Sequence, residues 1–140
     1  MSMNMFNFKI ATPDRVVYHD DIERITIPTR AGEITVLPDH APLVSIVKPG
    51  ELRIHKNNTI IPLACDAGVM EMRHDGSLVI LSDSSYHPED IDIQAAEDAY
   101  ERARVYMKEK SNIADVEFAS MQAMLERSTA QLRVAKKWRK

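Results

Sequence analysis

Two periodicities divide this chain, and they meet near residue 84. Ahead of that point, short apolar runs alternate with turn residues. In Phe6-Asn7-Phe8-Lys9-Ile10 the apolar side chains recur at every second position, which puts Phe6, Phe8 and Ile10 on one face of a strand. After a turn at Thr12-Pro13-Asp14, Val16-Val17-Tyr18 forms a short strand and His19-Asp20-Asp21 a polar corner. Ile25 and Ile27 face one way, with Arg24 and Thr26 opposite. Ala31-Gly32-Glu33 turns into Ile34-Thr35-Val36-Leu37, and beyond a loop over residues 38–42 comes the apolar run Leu43-Val44-Ser45-Ile46-Val47. Past Pro49-Gly50, Leu52 and Ile54 alternate with Arg53 and His55. Asn57-Asn58 is a two-residue hairpin turn, because asparagine tolerates positive φ. The next strand ends at Asp66-Ala67-Gly68, and Val69-Met70-Glu71-Met72 pairs with Leu78-Val79-Ile80-Leu81 across His74-Asp75-Gly76. Turn signals at intervals of about 8–12 residues, with no helix-length segment between them, predict an all-β sandwich or barrel. They argue against a doubly wound nucleotide-binding sheet.

Behind residue 84 the apolar positions step by three and four. Pro88 suits a first helical turn, and Glu89, Asp90 and Asp92 suit the positive end of a helix. Ala96, Ala99, Ala103 and Met107 then fall on one stripe. Ser111-Asn112 breaks the run and Asp115 caps a second helix. Along it Phe118, Met121, Leu125, Ser128, Leu132 and Ala135 form a narrow seam of the kind two antiparallel helices share. The chain therefore divides into a β unit over residues 1–85 and a helical hairpin over residues 86–140.

Charge sharpens this division. The formal net charge is -3, with 44 % apolar and 28 % charged residues, which suits a soluble protein with a real core and gives no support for tracking nucleic-acid phosphates. Positive charge concentrates at the end, in Arg133-Val134-Ala135-Lys136-Lys137-Trp138-Arg139-Lys140. Such placement favours a helix C-terminus, and it also offers a docking surface to an acidic partner. No apolar run approaches the roughly 20 residues of a membrane span. Met1 to Lys9 lacks the charged start and apolar stretch of a signal peptide. The chain is expected to stay where it is made and to meet a membrane only through protein partners.

Candidate chemistry is sparse. The four glycines, Gly32, Gly50, Gly68 and Gly76, are too scattered to cradle phosphate. His19 with Asp20 and Asp21, His40 after Asp39, and His74 beside Asp75 each sit at a turn and lack metal-ligand spacing. No serine stands in a nucleophile elbow. The single cysteine, Cys65, ends a strand-like run and reads as a small buried side chain. Bottom-up, the chain is a binding or mechanical part: no enzyme, no cofactor, no metal.

One segment is far more specific than the rest. Leu37-Pro38-Asp39-His40-Ala41-Pro42-Leu43, within the run from Gly32 to Ile54, resembles the epsilon subunit of F-type ATP synthases, bacterial or chloroplast type. Phe8-Lys9-Ile10-Ala11-Thr12-Pro13-Asp14-Arg15, Asp66-Ala67-Gly68-Val69-Met70-Glu71-Met72, Leu78-Val79-Ile80-Leu81-Ser82-Asp83 and Ala130-Gln131-Leu132-Arg133-Val134-Ala135 resemble other pieces of that family in the same order. The resemblance implies a ten-stranded β-sandwich followed by an antiparallel two-helix hairpin. It implies a non-catalytic rotor subunit of the central stalk, peripheral to the cytoplasmic face of the bacterial inner membrane (or the stromal face of the thylakoid). The sandwich would bind the gamma subunit and sit on the c-ring, and the hairpin would restrain ATP hydrolysis. Carried over residue by residue, Glu33 and His40 match the loop that faces the c-ring, with Asp39, Ala41 and Pro42 shaping it. Arg127, Arg133, Lys136 and Lys137 match basic positions that meet an acidic segment of the beta subunit.

One departure stands out. Some bacterial members bind ATP through an Ile/Leu-Asp-x-x-Arg-Ala motif. Here the stretch is Ile91-Asp92-Ile93-Gln94-Ala95-Ala96, with Ala95 in place of arginine. Losing a charge-assisted phosphate contact removes about 2 kcal/mol, so ATP binding is expected to be weak or absent, and Asp92 then reads as a charge at a helix N-terminus. A free-standing adaptor that binds a peptide through the sandwich and dimerises through the helices would explain the pattern but not the Leu37-Pro38-Asp39-His40-Ala41-Pro42-Leu43 motif; a small metallohydrolase would need clustered histidines and bound metal.

Overall fold

The computed structural model describes residues 4–109 and 116–139, so the helix break at Ser111-Asn112 and the cap at Asp115 lie outside the described residues. Ten strands come first: β1 (Phe6–Ala11), β2 (Val16–Ile22), β3 (Arg24–Thr29), β4 (Gly32–Val36), β5 (Leu43–Val47), β6 (Gly50–Lys56), β7 (Thr59–Cys65), β8 (Gly68–Met72), β9 (Leu78–Ser82) and β10 (Ser85–Tyr86). A 3₁₀ turn at Pro88–Asp90 leads into α1 (Ile93–Glu109), and α2 (Val116–Trp138) follows. The strands form one path, β10-β7-β6-β3-β5-β8-β9-β1-β2, with β4 hanging from β3 as an edge strand. Neighbours run antiparallel except β1 and β9, which are parallel. Inward side chains from opposite halves of this path, such as Phe8 and Ile80 on one side and Ile25 and Leu52 on the other, share a single buried core. The sheet is therefore folded over on itself as a sandwich, with one hydrophobic interior between its two layers.

The turns explain the register. Asn57 and Asn58 both take positive φ, 53° and 61°, the geometry of the tight hairpin that joins β6 to β7. Gly76, at φ 89°, turns β8 into β9, and Asp75 Oδ1 accepts both the Ser77 amide (2.9 Å) and its hydroxyl (2.6 Å). Gly68 answers a packing demand. A Cβ there would lie 2.2 Å from the Leu81 carbonyl oxygen, so β8 approaches β9 more closely than any side chain allows.

Two sequence expectations shift. His19-Asp20-Asp21 is no corner: β2 continues through it, paired with Lys9, Phe8 and Asn7 of β1. The polar residues are tolerated because β2 is a sheet edge, where His19 bonds Asn7, Asp21 accepts from Asn7 and Asp20 pairs with Lys56. Pro88 opens the separate 3₁₀ turn and not α1. The main helix starts later, with Asp92 Oδ1 accepting the Ala95 amide at 3.0 Å as its N-cap.

The helices pack antiparallel, with Tyr106 near the end of α1 donating to Glu117 near the start of α2 at 3.0 Å. Ala96, Ala103, Ser128 and Ala135 of the expected seam are buried. Ala130 and Val134, outside that seam, are buried too, because α2 also lies on β6 and β7. The hairpin is thus folded down against the sandwich.

Candidate functional site

Three features of this fold are available to partners. The first is a face of the sandwich. The β5–β8–β9–β1–β2 register aligns Ile46, Val69, Leu81, Ala11 and Val16 in one row, all pointing outward. Four of them are large and open to solvent: Ile46 at 47 %, Val69 at 47 %, Leu81 at 60 % and Val16 at 54 %. Val44, in the neighbouring row, is 66 % exposed. An apolar row five strands wide is what a sheet shows when a partner covers its second face. Sequence reasoning missed this row, although its signal was present. Leu43–Val47 and Leu78–Leu81 are nearly continuous apolar runs, and a strand that is wet on one side alternates instead.

The second feature is the β4 edge. Glu33, Thr35 and Leu37 present its exposed side, and residues 38–42 turn the chain back into β5. Asp39 takes φ 65°, and the His40 amide donates to the Leu37 carbonyl at 3.2 Å. The His40 ring lies against its own loop, its Nδ1–H donating to the Ala41 carbonyl at 2.8 Å. Ala41 and Pro42 are exposed. Asp39, His40, Ala41 and Pro42 therefore form one compact turn, whereas Glu33 stands at the other end of β4, held by Arg53 Nη2 at 2.9 Å. The edge is continuous from one to the other.

The third feature is the joint between hairpin and sandwich. Val134 and Ala135 of α2 pack on Ala64 and Ile91, flanked by Tyr86, Ile93 and Trp138. Around this small apolar contact lies a ring of polar ties. Arg127 Nη1 reaches Asp66 Oδ2 at 3.3 Å, and Arg139 donates to the Ile91 carbonyl at 2.8 Å. Glu51 takes Arg53 (2.8 Å), Lys137 (3.3 Å) and the Trp138 indole N–H (2.8 Å). Burial works to raise the Glu51 pKa, but the hydrogen bonds from Arg53, Trp138 and Lys137 outweigh it and hold the carboxyl below the usual glutamate range. Of the four basic positions singled out in α2, Arg127 and Lys137 are thus engaged by the sandwich, while Arg133 and Lys136 are exposed. Trp138 and Glu51 escaped sequence reasoning; their pairing joins residues 87 positions apart.

The degenerate nucleotide motif is occupied by structural duties. Ile91 is buried under α2, Asp92 caps α1, Ala96 is buried between the helices and Ala95 is exposed. The adjoining cavity, bounded by Asp92, Ala95, Ala99, Arg127 and Gln131 among others, holds about 170 Å³. Ligand sites are usually about 300 Å³ or more. Among the described residues no cluster of three His, Cys, Asp or Glu side chains is placed to hold a metal, and no helix is long and apolar enough to cross a membrane. Burial pushes the Cys65 thiol up to about 12, far from a reactive thiolate.

Comparison with known proteins matches both parts of the chain. The beta-sandwich domain of ATP synthase delta/epsilon chains matches residues 5–88, and their long alpha-helix domain matches residues 89–136. The ATP synthase epsilon chain of Caldanaerobacter subterraneus subsp. tengcongensis is 36 % identical over 134 residues, covering 95 % of each chain. That of Chloroflexus aggregans is 36 % identical over 129 residues, covering 92 % of this chain and 91 % of its own. In three dimensions, a chain of the Euglena gracilis mitochondrial ATP synthase shares the fold, with a TM-score of 0.75 at 22 % identity over 97 % of this chain and 84 % of that one. With sandwich and hairpin both matched in order, this chain belongs to the ATP synthase delta/epsilon chain family.

Proposed function

We propose that this chain is the epsilon-type rotor subunit of an F-type ATP synthase, a non-catalytic part of the central stalk that transmits rotation between the c-ring and the catalytic head. The observation that carries this reading is the exposed apolar row Ile46–Val69–Leu81–Val16 on an otherwise well-packed sandwich. A part that turns with a shaft must be clamped to it, and a flat apolar face on a rigid sheet is a surface that does so without distorting. The gamma subunit is its occupant. A free-standing adaptor would leave the match to both family domains without a reason. In a titration of gamma with the purified chain, Leu81→Glu weakens binding by at least about 30-fold with the fold retained, since Leu81 is 60 % exposed. Undiminished affinity in that variant would remove the basis of the reading.

The β4 edge, with Glu33 at one end and Asp39, His40, Ala41 and Pro42 at the other, is the surface for the polar loops of the c-ring. Pro38 and Pro42 stiffen the turn that carries His40. Residues 1–85 act as the docking unit and residues 86–140 as the regulatory one. For Arg127, Arg133, Lys136 and Lys137 to meet an acidic segment of the beta subunit, the hairpin must leave the sandwich, exchanging the Asp66 and Glu51 pairs for new ones. ATP binds weakly or not at all, because the only arginine beside the small cavity among the described residues, Arg127, is paired with Asp66 and Ala95 supplies no charge. The chain associates peripherally with the membrane through its partners, on the cytoplasmic face of a bacterial inner membrane.

A further inference from the structure

The docked hairpin is tied to the sandwich most densely at Glu51. Its side chain is only 12 % exposed. Oε1 accepts from Arg53 at 2.8 Å and from Lys137 at 3.3 Å, and Oε2 accepts the Trp138 indole N–H at 2.8 Å. Two of these three donors belong to the last turn of α2. Lys137 also stands 5.1 Å from the centre of the Trp138 ring, so the two donors brace each other. Arg53 is shared: its Nη1 serves Glu51 and its Nη2 serves Glu33 Oε1 at 2.9 Å. The result is a ladder from the end of α2 through Glu51 on β6 and Arg53 to Glu33 on the β4 edge. Beneath it the apolar part of the joint is small, chiefly Ala64, Ile91, Val134 and Ala135. Charge-assisted bonds to a nearly buried carboxylate therefore carry a large share of the hold.

We propose that Glu51 is the latch that keeps the hairpin docked, and that Arg53 makes its grip depend on what Glu33 touches. A polar partner that engages Glu33 competes for one half of the Arg53 guanidinium and so alters the geometry in which the other half meets Glu51. The hold on α2 is then read out at the β4 edge. The latch is a property of the isolated chain; its coupling to the c-ring rests on the assignment of the β4 edge made above.

Hydrogen exchange on the full chain tests this. Glu51→Gln accelerates exchange of the amides of residues 130–139 by at least about 10-fold, while those of β1, β8 and β9 keep their protection. Trp138 is the only tryptophan, so its emission shifts to the red in the same variant. Trp138→Phe removes the donor from the helix side, gives the same acceleration, and serves if Glu51→Gln does not fold. Unchanged exchange at residues 130–139, or equal acceleration in the core strands, overturns the latch. For the link through Arg53, the effect of Trp138→Phe is measured in the native and the Glu33→Gln backgrounds. The two differ by about 2-fold or more; strict additivity overturns the link. Loss of ring contact with an intact ladder counts instead against the assignment of β4.

Discussion

The sandwich and the hairpin are built from the same chain by opposite means. The sandwich buries Phe8, Ile10, Ile22, Ile25, Ile27, Leu52, Ile54, Leu63, Met70, Met72, Leu78 and Ile80 completely, large side chains drawn from seven strands into one core. The hairpin buries Ala96, Ala103, Ser128, Ala130, Val134 and Ala135, and is fastened to the sandwich by a few small contacts and a ring of hydrogen bonds. Buried apolar area, at about 25 cal/mol per Å², gives a wide margin to the first and only a narrow one to the second, which relies on its hydrogen bonds as well. One part is built around a large core, and the other rests on a small joint.

The largest effects should fall in the sandwich. Leu78→Ala, at a fully buried position of β9, costs about 3 kcal/mol, measured as a lower denaturant midpoint for the whole chain. Gly68→Ala costs about 2 kcal/mol by the same measurement, because the new methyl meets the Leu81 carbonyl and the strands must separate. A smaller effect belongs to the joint. Val134→Ala removes about 1.5 kcal/mol of docking, so residues 130–139 exchange faster while the sandwich midpoint stays in place. If Val134→Ala shifted the sandwich midpoint as far as Leu78→Ala does, the two parts would be one cooperative unit and the contrast would fail.

The smallest effect is set by pH. The Glu51 carboxyl is held below the usual glutamate range in the docked state. Its contribution is therefore complete at neutral pH and is lost as pH falls through and below that range, when protonation removes the acceptor for Lys137 and Arg53. Acid should free the end of α2 before it disturbs the core, seen as a red shift of Trp138 emission that precedes loss of strand signal in circular dichroism.

How much of this was legible in the sequence follows from which contacts are local. The paired strands β6–β7 and β8–β9 could be read because Asn57-Asn58 and Asp75-Gly76 mark their turns and Leu52, Ile54, Met70 and Met72 keep a strict alternation. β2 was cut short because its polar residues are stabilised by Asn7 across the sheet and by Lys56 of β6, partners 12 to 36 positions away. The second face of α2 was invisible for the same reason. Val134 is buried by Ala64 and Ile91, which other elements supply. The apolar row was half legible, since doubly apolar strands announce a second covered face without saying which strands lie beside them. The loop over residues 38–42 was placed correctly as a loop. The pairing of Glu33 with Arg53 and of Glu51 with Trp138 had no local sign at all.

The central claim is that this chain is clamped to a rotating shaft by the outer face of β5, β8 and β9. Cryo-electron microscopy of the ATP synthase purified intact from the source cells tests it most directly. The account predicts the chain in the central stalk with Ile46, Val69 and Leu81 covered by gamma. A synthase complete without this chain, or one in which that face is open to solvent, would contradict it.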